Sequence, residues 1–335
     1  MEIRGLSALV TGASGFIGGR LAERLATEEG VRVRAMVRQA KKGERLRTYP
    51  LEIVKTDLLD LESLRKAVEG CDLVFHCAAL VRETGDRNEF YRVNVKGTEN
   101  IVNVSRDTGV KKFIHFSSVA VYGMNPPDGA DEKTPLQPCG NLYCDTKIAA
   151  EKVVWAAHQE AGLPVVVLRP ANVYGPYSNP WTLRPIKLVN SGQMMLINGG
   201  TGICNYVYVD NLIDATLLAT KRDRSLGEVY LVSDGRPVMW KEFFGYYARM
   251  AGKPSIRSVP KWLGKAIALG MEVTSKLRGK PPKLTREAVG FLTRKARFSI
   301  EKARRELGYQ PRFSLEEGMK LTEQWLREKG YLPRV

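Results

Sequence analysis

Gly12, Gly15 and Gly18 recur at three-residue spacing in Thr11-Gly-Ala-Ser-Gly-Phe-Ile-Gly18, between the apolar run Ser7–Val10 and a helical pattern of Phe16, Ile17, Leu21 and Leu25. Without a Cβ at these positions, backbone N–H groups of the turn can approach a phosphate closely, and the helix start that follows offers partial positive charge to an anion. A glycine triplet alone says little. Placed between a strand and a helix, it predicts a dinucleotide site in which Gly12, Ser14, Gly15, Phe16, Ile17 and Gly18 surround the pyrophosphate.

The first half of the chain alternates short β-rich runs with helical patterns, which predicts a parallel sheet covered on both faces. Strands are expected at Ser7–Val10, Arg32–Val37, Glu52–Val54, Leu73–His76, Lys112–Phe116 and Val165–Leu168. Helices are expected at Phe16–Ala26, Glu89–Arg106 and Tyr143–Ala161. After Arg169-Pro170 the rhythm breaks, and Pro, Gly and Asn cluster from Ala171 to Pro185 and from Asn198 to Gly202. Loops at the carboxyl edge of a parallel sheet are where a substrate pocket forms. The chain is then expected to return to the sheet at Tyr206–Val209 and Glu228–Val232. The reading is an α/β fold: a Rossmann-type doubly wound parallel sheet over residues 1–170, with return segments in 204–232. A smaller, mainly helical C-terminal substrate lobe takes 171–203 and 233–335.

With 335 residues and 44% hydrophobic content the chain can bury a large core. No apolar stretch approaches the roughly 18 residues that span a bilayer, and no secretion signal is evident, so a cytoplasmic protein is expected. Five cysteines without a C-x-x-C pair argue against a disulfide framework, and His76, His115 and His158 show no metal-ligand spacing, so no metal is expected. The formal net charge of +16 is unevenly spread: residues 257–297 hold eleven Lys or Arg against only Glu272 and Glu287. In that stretch Trp262, Ala266, Leu269 and Val273, among other apolar residues, are spaced so that a helix carries an apolar face beside lysines. Such a segment either meets an anionic membrane surface or packs on the main domain with its charges solvated. Nucleic acid is not an expected partner, because no aromatic stripe or binding module accompanies the charge.

Cofactor choice is written at the end of the second strand. NAD sites of this type place an Asp or Glu there for the ribose 2′-hydroxyl, whereas Val37 and Arg38 stand here, with Lys41 and Lys42 close behind. A guanidinium suits a 2′-phosphate, so NADP is the expected cofactor and NAD the alternative.

Tyr143 and Lys147 carry the chemistry. Four residues apart on a predicted helix, they share a face, and Tyr143 is the only one of thirteen tyrosines with a lysine four positions on. A phenol titrates near 10 (about) and a nearby ammonium favours its phenolate, so the lysine is expected to lower the Tyr143 pKa. Phe116-Ser117-Ser118 adds a hydroxyl at the carboxyl end of an apolar strand.

With these residues in view, the chain resembles an extended short-chain dehydrogenase/reductase of the NAD-dependent epimerase/dehydratase superfamily. The likeness runs from Leu6 to near the C-terminus. It rests on the glycine turn, Asp57-Leu58, His76-Cys-Ala-Ala79, Asn94-Val-Lys-Gly-Thr98, Ser117-Ser-Val-Ala-Val-Tyr-Gly123, Tyr143-Cys-Asp-Thr-Lys147 and Arg169-Pro-Ala-Asn-Val-Tyr-Gly-Pro176. The resemblance implies that Ser118 orients the substrate oxygen, that Tyr143 exchanges its proton, and that Lys147 also holds the nicotinamide ribose. It further implies that Asp57 and Leu58 flank the adenine and that Ala78, Ala79 and Asn94 line the cofactor channel. Pro170 and Val173 fall near the nicotinamide, Val119 and Asn172 on the substrate side. It implies a homodimer through the helices near Glu89–Arg106 and Tyr143–Ala161.

Two departures narrow the substrate. Nucleotide-sugar epimerases usually carry an arginine just before the segment resembling Tyr206-Val-Tyr-Val-Asp-Asn211, and Asn205 stands there. Nucleotide-sugar dehydratases carry an acidic pair after the catalytic hydroxyl, and Ser118 is followed by Val119 and Ala120. The tail, in Val259-Pro-Lys-Trp-Leu263 and Lys302-Ala-Arg-Arg-Glu-Leu-Gly-Tyr-Gln-Pro311, is similar to the 3β-hydroxysteroid and sterol-4α-carboxylate dehydrogenase branch. The expected activity is interconversion of a secondary alcohol and a ketone on an apolar, sterol-like or lipid-like substrate. A nucleotide-sugar 4-epimerase with retained NAD is the alternative.

Overall fold

Seven parallel strands build the central sheet: β1 (Ser7–Thr11), β2 (Arg32–Val37), β3 (Glu52–Lys55), β4 (Leu73–His76), β5 (Lys112–Phe116), β6 (Val165–Pro170) and Glu228–Val232. This computed structural model describes residues 1–82, 84–278 and 282–333; Lys280 lies outside it, as do the side chains of residues 40, 42 and 276–278. The sheet order is Glu228–Val232, β6, β5, β4, β1, β2, β3. Strands this apolar on both faces require cover on both. Along β1, Ala8 and Val10 join the core on one face and Leu9 the core on the other, as the two-residue repeat of a strand dictates. The first of these cores continues without a break into the C-terminal lobe, through Tyr174, Phe243, Leu307 and Leu326.

Strand order reverses at β1, which pairs with β2 on one side and β4 on the other. A crevice opens at such a point beyond the carboxyl ends of the strands, and ligands of doubly wound sheets bind there. The glycine turn after β1 and the Cys77–Leu80 segment after β4 therefore meet at the reversal. Gly12 sits at φ 67°, and a Cβ on it would come 2.9 Å from the Ala78 Cα. Only glycine satisfies both the left-handed backbone and the close approach.

Two expectations are corrected. Tyr206–Val209 does not return to the main sheet: Tyr206–Tyr208 pairs in parallel with Asn172–Tyr174 as a separate ribbon, and Val209 already opens the helix Val209–Lys221. The tyrosines decide this, because Tyr174, Tyr206 and Tyr208 pack their rings together and Tyr174 stands edge-on to Phe243 of the lobe at 5.5 Å. Glu228–Val232 alone returns, beside β6. The single helix expected over Glu89–Arg106 is interrupted by a π-helical turn, Arg92–Lys96, between Arg87–Tyr91 and Gly97–Asp107. The interruption lets Asn94 turn inward, as described below.

Candidate active site

The nucleotide end of the crevice is built from backbone. Helix α1 (Phe16–Thr27) starts at Gly15 with no side-chain cap and no acidic residue in its first turn. Its first N–H groups are therefore left for an anion. Packing allows nothing larger at the turn: a Cβ on Gly15 would stand 3.0 Å from the Gly12 carbonyl oxygen, and one on Gly18 2.6 Å from it. Thr11 fixes the opposite wall. Its Oγ1 accepts from the Ala78 N–H at 3.1 Å and meets His76 Nδ1 at 2.9 Å, while His76 Nε2 meets Thr98 Oγ1 at 2.9 Å. His76 is thus a buried structural link, held neutral by its burial, which lowers its pKa to about 3. The residues present fit a dinucleotide: an uncapped helix start, a glycine cradle, and a half-exposed Ser14 beside them. Arg38 projects exposed from the end of β2, with exposed Lys41 nearby. Leu58 is buried beneath Gly97, and Asp57 closes its own turn by accepting the Leu59 N–H at 3.0 Å.

Asn94, expected to line the cofactor channel, spends its amide on the protein. Its Oδ1 accepts from Leu80 N–H at 2.6 Å, and its Nδ2 donates to the Leu80 carbonyl at 3.2 Å and to Thr146 Oγ1 at 3.0 Å. It positions the wall that carries Ala78 and Ala79 against the helix that carries Tyr143. Val173 and Asn172 are buried in the ribbon that leaves β6 after Pro170.

The residues expected to carry the chemistry lie at the start of the helix Leu142–Ala161. Asn141 caps it, its side chain accepting from Tyr143 N–H at 3.0 Å and Cys144 N–H at 3.1 Å. Tyr143 and Lys147 follow on one face, as their spacing predicts. Ser118 lies beside the Tyr143 phenol and acts on it to favour its ionised form, while the Ser118 hydroxyl accepts from Ala120 N–H at 3.1 Å. Lys147 Nζ donates to the Phe116 carbonyl oxygen at 2.6 Å. The expected effect of the lysine on the phenol is overturned. Burial raises the Tyr143 pKa, with only Ser118 opposing it, while burial lowers that of Lys147 to about 8. Each group is governed by its own desolvation: the Lys147 ammonium donates to the carboxyl end of β5, and the charge of Lys147 is not among the influences on the phenol.

The sequence reading missed two features. The first is Glu151, one further turn along the face of Tyr143 and Lys147. Fully buried, it accepts from Ser117 Oγ at 2.6 Å and is gripped by the Arg169 guanidinium, whose Nη1 reaches Tyr122 Oη at 2.9 Å. This network ties together the helix Leu142–Ala161, the turn bearing Ser118, and β6. Its signal was the spacing 143, 147, 151. The second is Arg294, counted only as part of a basic tail. Its guanidinium stacks over Phe291 at 4.3 Å and lies 5.6 Å from Phe298, and its buried Nε has no hydrogen-bond partner among the described residues. Burial lowers its pKa to about 10, with Cys204 opposing. Cys204 in turn lies 4.0 Å from Asn172 Nδ2, and Phe298 packs on Tyr122, four residues past Ser118. No carboxylate among the described residues pairs with this cation. At Asn205, where an epimerase carries its arginine, both ends of the amide are bound to backbone, Oδ1 to Phe298 N–H at 3.1 Å and Nδ2 to the Ala296 carbonyl at 2.9 Å.

The same architecture recurs in known proteins. The model of the NAD dependent epimerase/dehydratase family matches residues 8–233. The chain is 32% identical over 329 residues to a 3-beta-hydroxysteroid dehydrogenase of Mycolicibacterium neoaurum, covering 93% of this chain and 88% of that one. It is 29% identical over 329 residues to a 2-alkyl-3-oxoalkanoate reductase of Shewanella oneidensis, covering 93% and 84%. Among solved structures, UDP-glucose 4-epimerase of Thermotoga maritima with UDP-glucose superposes with a TM-score of 0.79 at 26% identity, over 97% of this chain and 99% of that one. Glycine crevice, serine, tyrosine and lysine occur here within a matched region that spans most of the sheet: the chain belongs to the NAD-dependent epimerase/dehydratase family and is an NAD(P)-dependent enzyme of the extended short-chain dehydrogenase/reductase type.

Proposed function

We propose that this enzyme interconverts a secondary alcohol and a ketone on an apolar substrate that also bears an anionic group. The juxtaposition of Ser118 with Tyr143, and of Lys147 one helical turn further on at the carboxyl end of β5, carries the reaction class. When bound, the nicotinamide supplies or accepts the hydride; alignment and the proton are the chain's part. A ketone oxygen placed between the two hydroxyls accepts from both. Burial keeps Tyr143 protonated near neutrality, so in the direction of reduction it gives its proton to that oxygen as negative charge gathers there. Lys147 spends one N–H on Phe116 and has two further donors for the ribose hydroxyls. Glu151 and Arg169 hold the Ser117-Ser118 turn so that the oxygen site is formed before substrate arrives.

Arg294 supports the anionic part of the reading. Its side chain is half-buried and its buried Nε has no partner among the described residues, and a ligand anion would satisfy both the donor and the charge. Arg294 stacks on Phe291, a partly exposed ring that suits an apolar body. The 2-alkyl-3-oxoalkanoate reductase of Shewanella oneidensis, to which the chain is similar, is named for a substrate with this combination. NADP is favoured by exposed Arg38 at the end of β2, where no acid stands to receive a 2′-hydroxyl.

The experiment is a nicotinamide-oxidation assay over 2-alkyl-3-oxo acids, their methyl esters, 3-ketosteroids and UDP-glucose, with NADPH and NADH. Net consumption with the free acid, weaker with its ester and faster with NADPH, is the expected result. Interconversion of UDP-sugars without net cofactor consumption would replace this reading with that of a retained-cofactor epimerase.

A further inference from the structure

The helix Lys261–Arg278 presents two apolar faces, and the protein uses only one. Gly264 and buried Ala268 turn inward against Ile197 and Val289, forming a small core of their own. On the opposite side Trp262, Ala266, Leu269 and Val273 fall within an arc of about 60°. Trp262 is 70% exposed, Val273 52% and Leu269 46%, the largest cluster of exposed large apolar side chains on one element among the described residues. Exposed Lys261 and Lys265 flank this stripe. The acid on the helix is already engaged, since Glu272 accepts from the Arg286 backbone N–H at 2.7 Å and from its guanidinium at 2.8 Å. Residues 257–297 as a whole carry nine more Lys and Arg than Asp and Glu.

A stripe of this kind has two demands: cover for its apolar groups, and negative charge for the lysines beside them. We propose that the outer face of this helix docks in plane on an anionic lipid bilayer, with Trp262, Leu269 and Val273 at the level of the acyl boundary and Lys261 and Lys265 on lipid phosphates. Eighteen residues lie about 27 Å along the surface, and no described helix is long and apolar enough to cross it. Tryptophan favours the headgroup boundary, and lysine stems reach past apolar groups to place their ammonium in the phosphate layer. A second protein copy would satisfy the apolar stripe but would bring a like-charged face onto Lys261 and Lys265.

The test is co-sedimentation of the full chain with phosphatidylcholine vesicles, with and without phosphatidylglycerol, beside its double variants Leu269→Asp/Val273→Asp and Lys261→Glu/Lys265→Glu. Light scattering reports the oligomeric state of each, and thermal unfolding shows that each is folded. The expected result is binding to the anionic vesicles alone, weakened by salt and lowered about tenfold or more in each variant, with oligomeric state unchanged. Equal binding to both vesicle types, binding to neither, or binding that the two variants leave unaltered overturns the proposal. A change of oligomeric state in the aspartate variant assigns the face to self-association instead and overturns it equally.

Discussion

Lys147→Met separates what a buried charge does for catalysis from what it costs the fold. Lys147 is 4% exposed, and burial brings its pKa from 10.5 to about 8. That displacement, at about 1.4 kcal/mol per unit, corresponds to about 3 kcal/mol by which the folded state disfavours the ammonium. Because the folded pKa is the lower one, an unfolding molecule takes up a proton between about 8 and 10.5; the penalty is complete below that window and fades as pH rises through it. Methionine has similar length and no charge, so the variant escapes the penalty and forfeits the hydrogen bond to the Phe116 carbonyl, which is worth about 1.5–3 kcal/mol. Near neutrality the two terms nearly offset, leaving the variant as stable as the parent or more stable by about 1 kcal/mol. The diagnostic quantity is the difference in unfolding free energy measured in urea at about pH 7 and about pH 9.5, which shifts in favour of lysine by about 2 kcal/mol. Turnover is lost at both. A stability difference independent of pH would refute the claim that desolvation governs this lysine.

Three further outcomes follow from the geometry. Gly12→Ala places a Cβ against Ala78 at a positive φ, so dinucleotide affinity measured by calorimetry falls steeply and unfolding free energy drops by about 1–3 kcal/mol. Glu151→Ala leaves Arg169 buried without its carboxylate; urea titration should register a loss of about 3–5 kcal/mol, whereas a loss below 1 kcal/mol (about) would mean the pair is dispensable. Arg294→Gln raises KM for the free 3-oxo acid while leaving KM for its ester nearly unchanged; equal effects on both would assign Arg294 a structural role.

Much of this was legible because periodicity and glycine spacing are local properties. β2, β4, β5 and the strand Glu228–Val232 fall where their apolar runs place them, and Tyr143 shares a face with Lys147 because four residues make a helical turn. Misreadings came where tertiary partners decide. Tyr206–Tyr208 has the alternation of a sheet strand, yet its rings find Tyr174 beside the lobe, and the pairing follows them. The Glu89–Arg106 helix broke where Asn94 reaches Leu80 and Thr146, a pair of contacts no spacing in that segment announces. The direction of the Tyr143 pKa was misjudged because helical spacing says nothing of how deeply the phenol is desolvated, and that burial sets the direction. Arg294 was hidden among ten other basic residues of its stretch, and only burial beside Phe291 and Cys204 distinguishes it.

The central claim is that one phenolic proton serves the substrate oxygen in a crevice that binds the dinucleotide independently. Tyr143→Phe measures it directly, with single-turnover nicotinamide oxidation and cofactor Kd determined on the same preparation. The account predicts a rate reduced by about 10²–10⁴-fold with cofactor Kd unchanged. A variant that turns over at the parent rate, with cofactor bound as before, would contradict it.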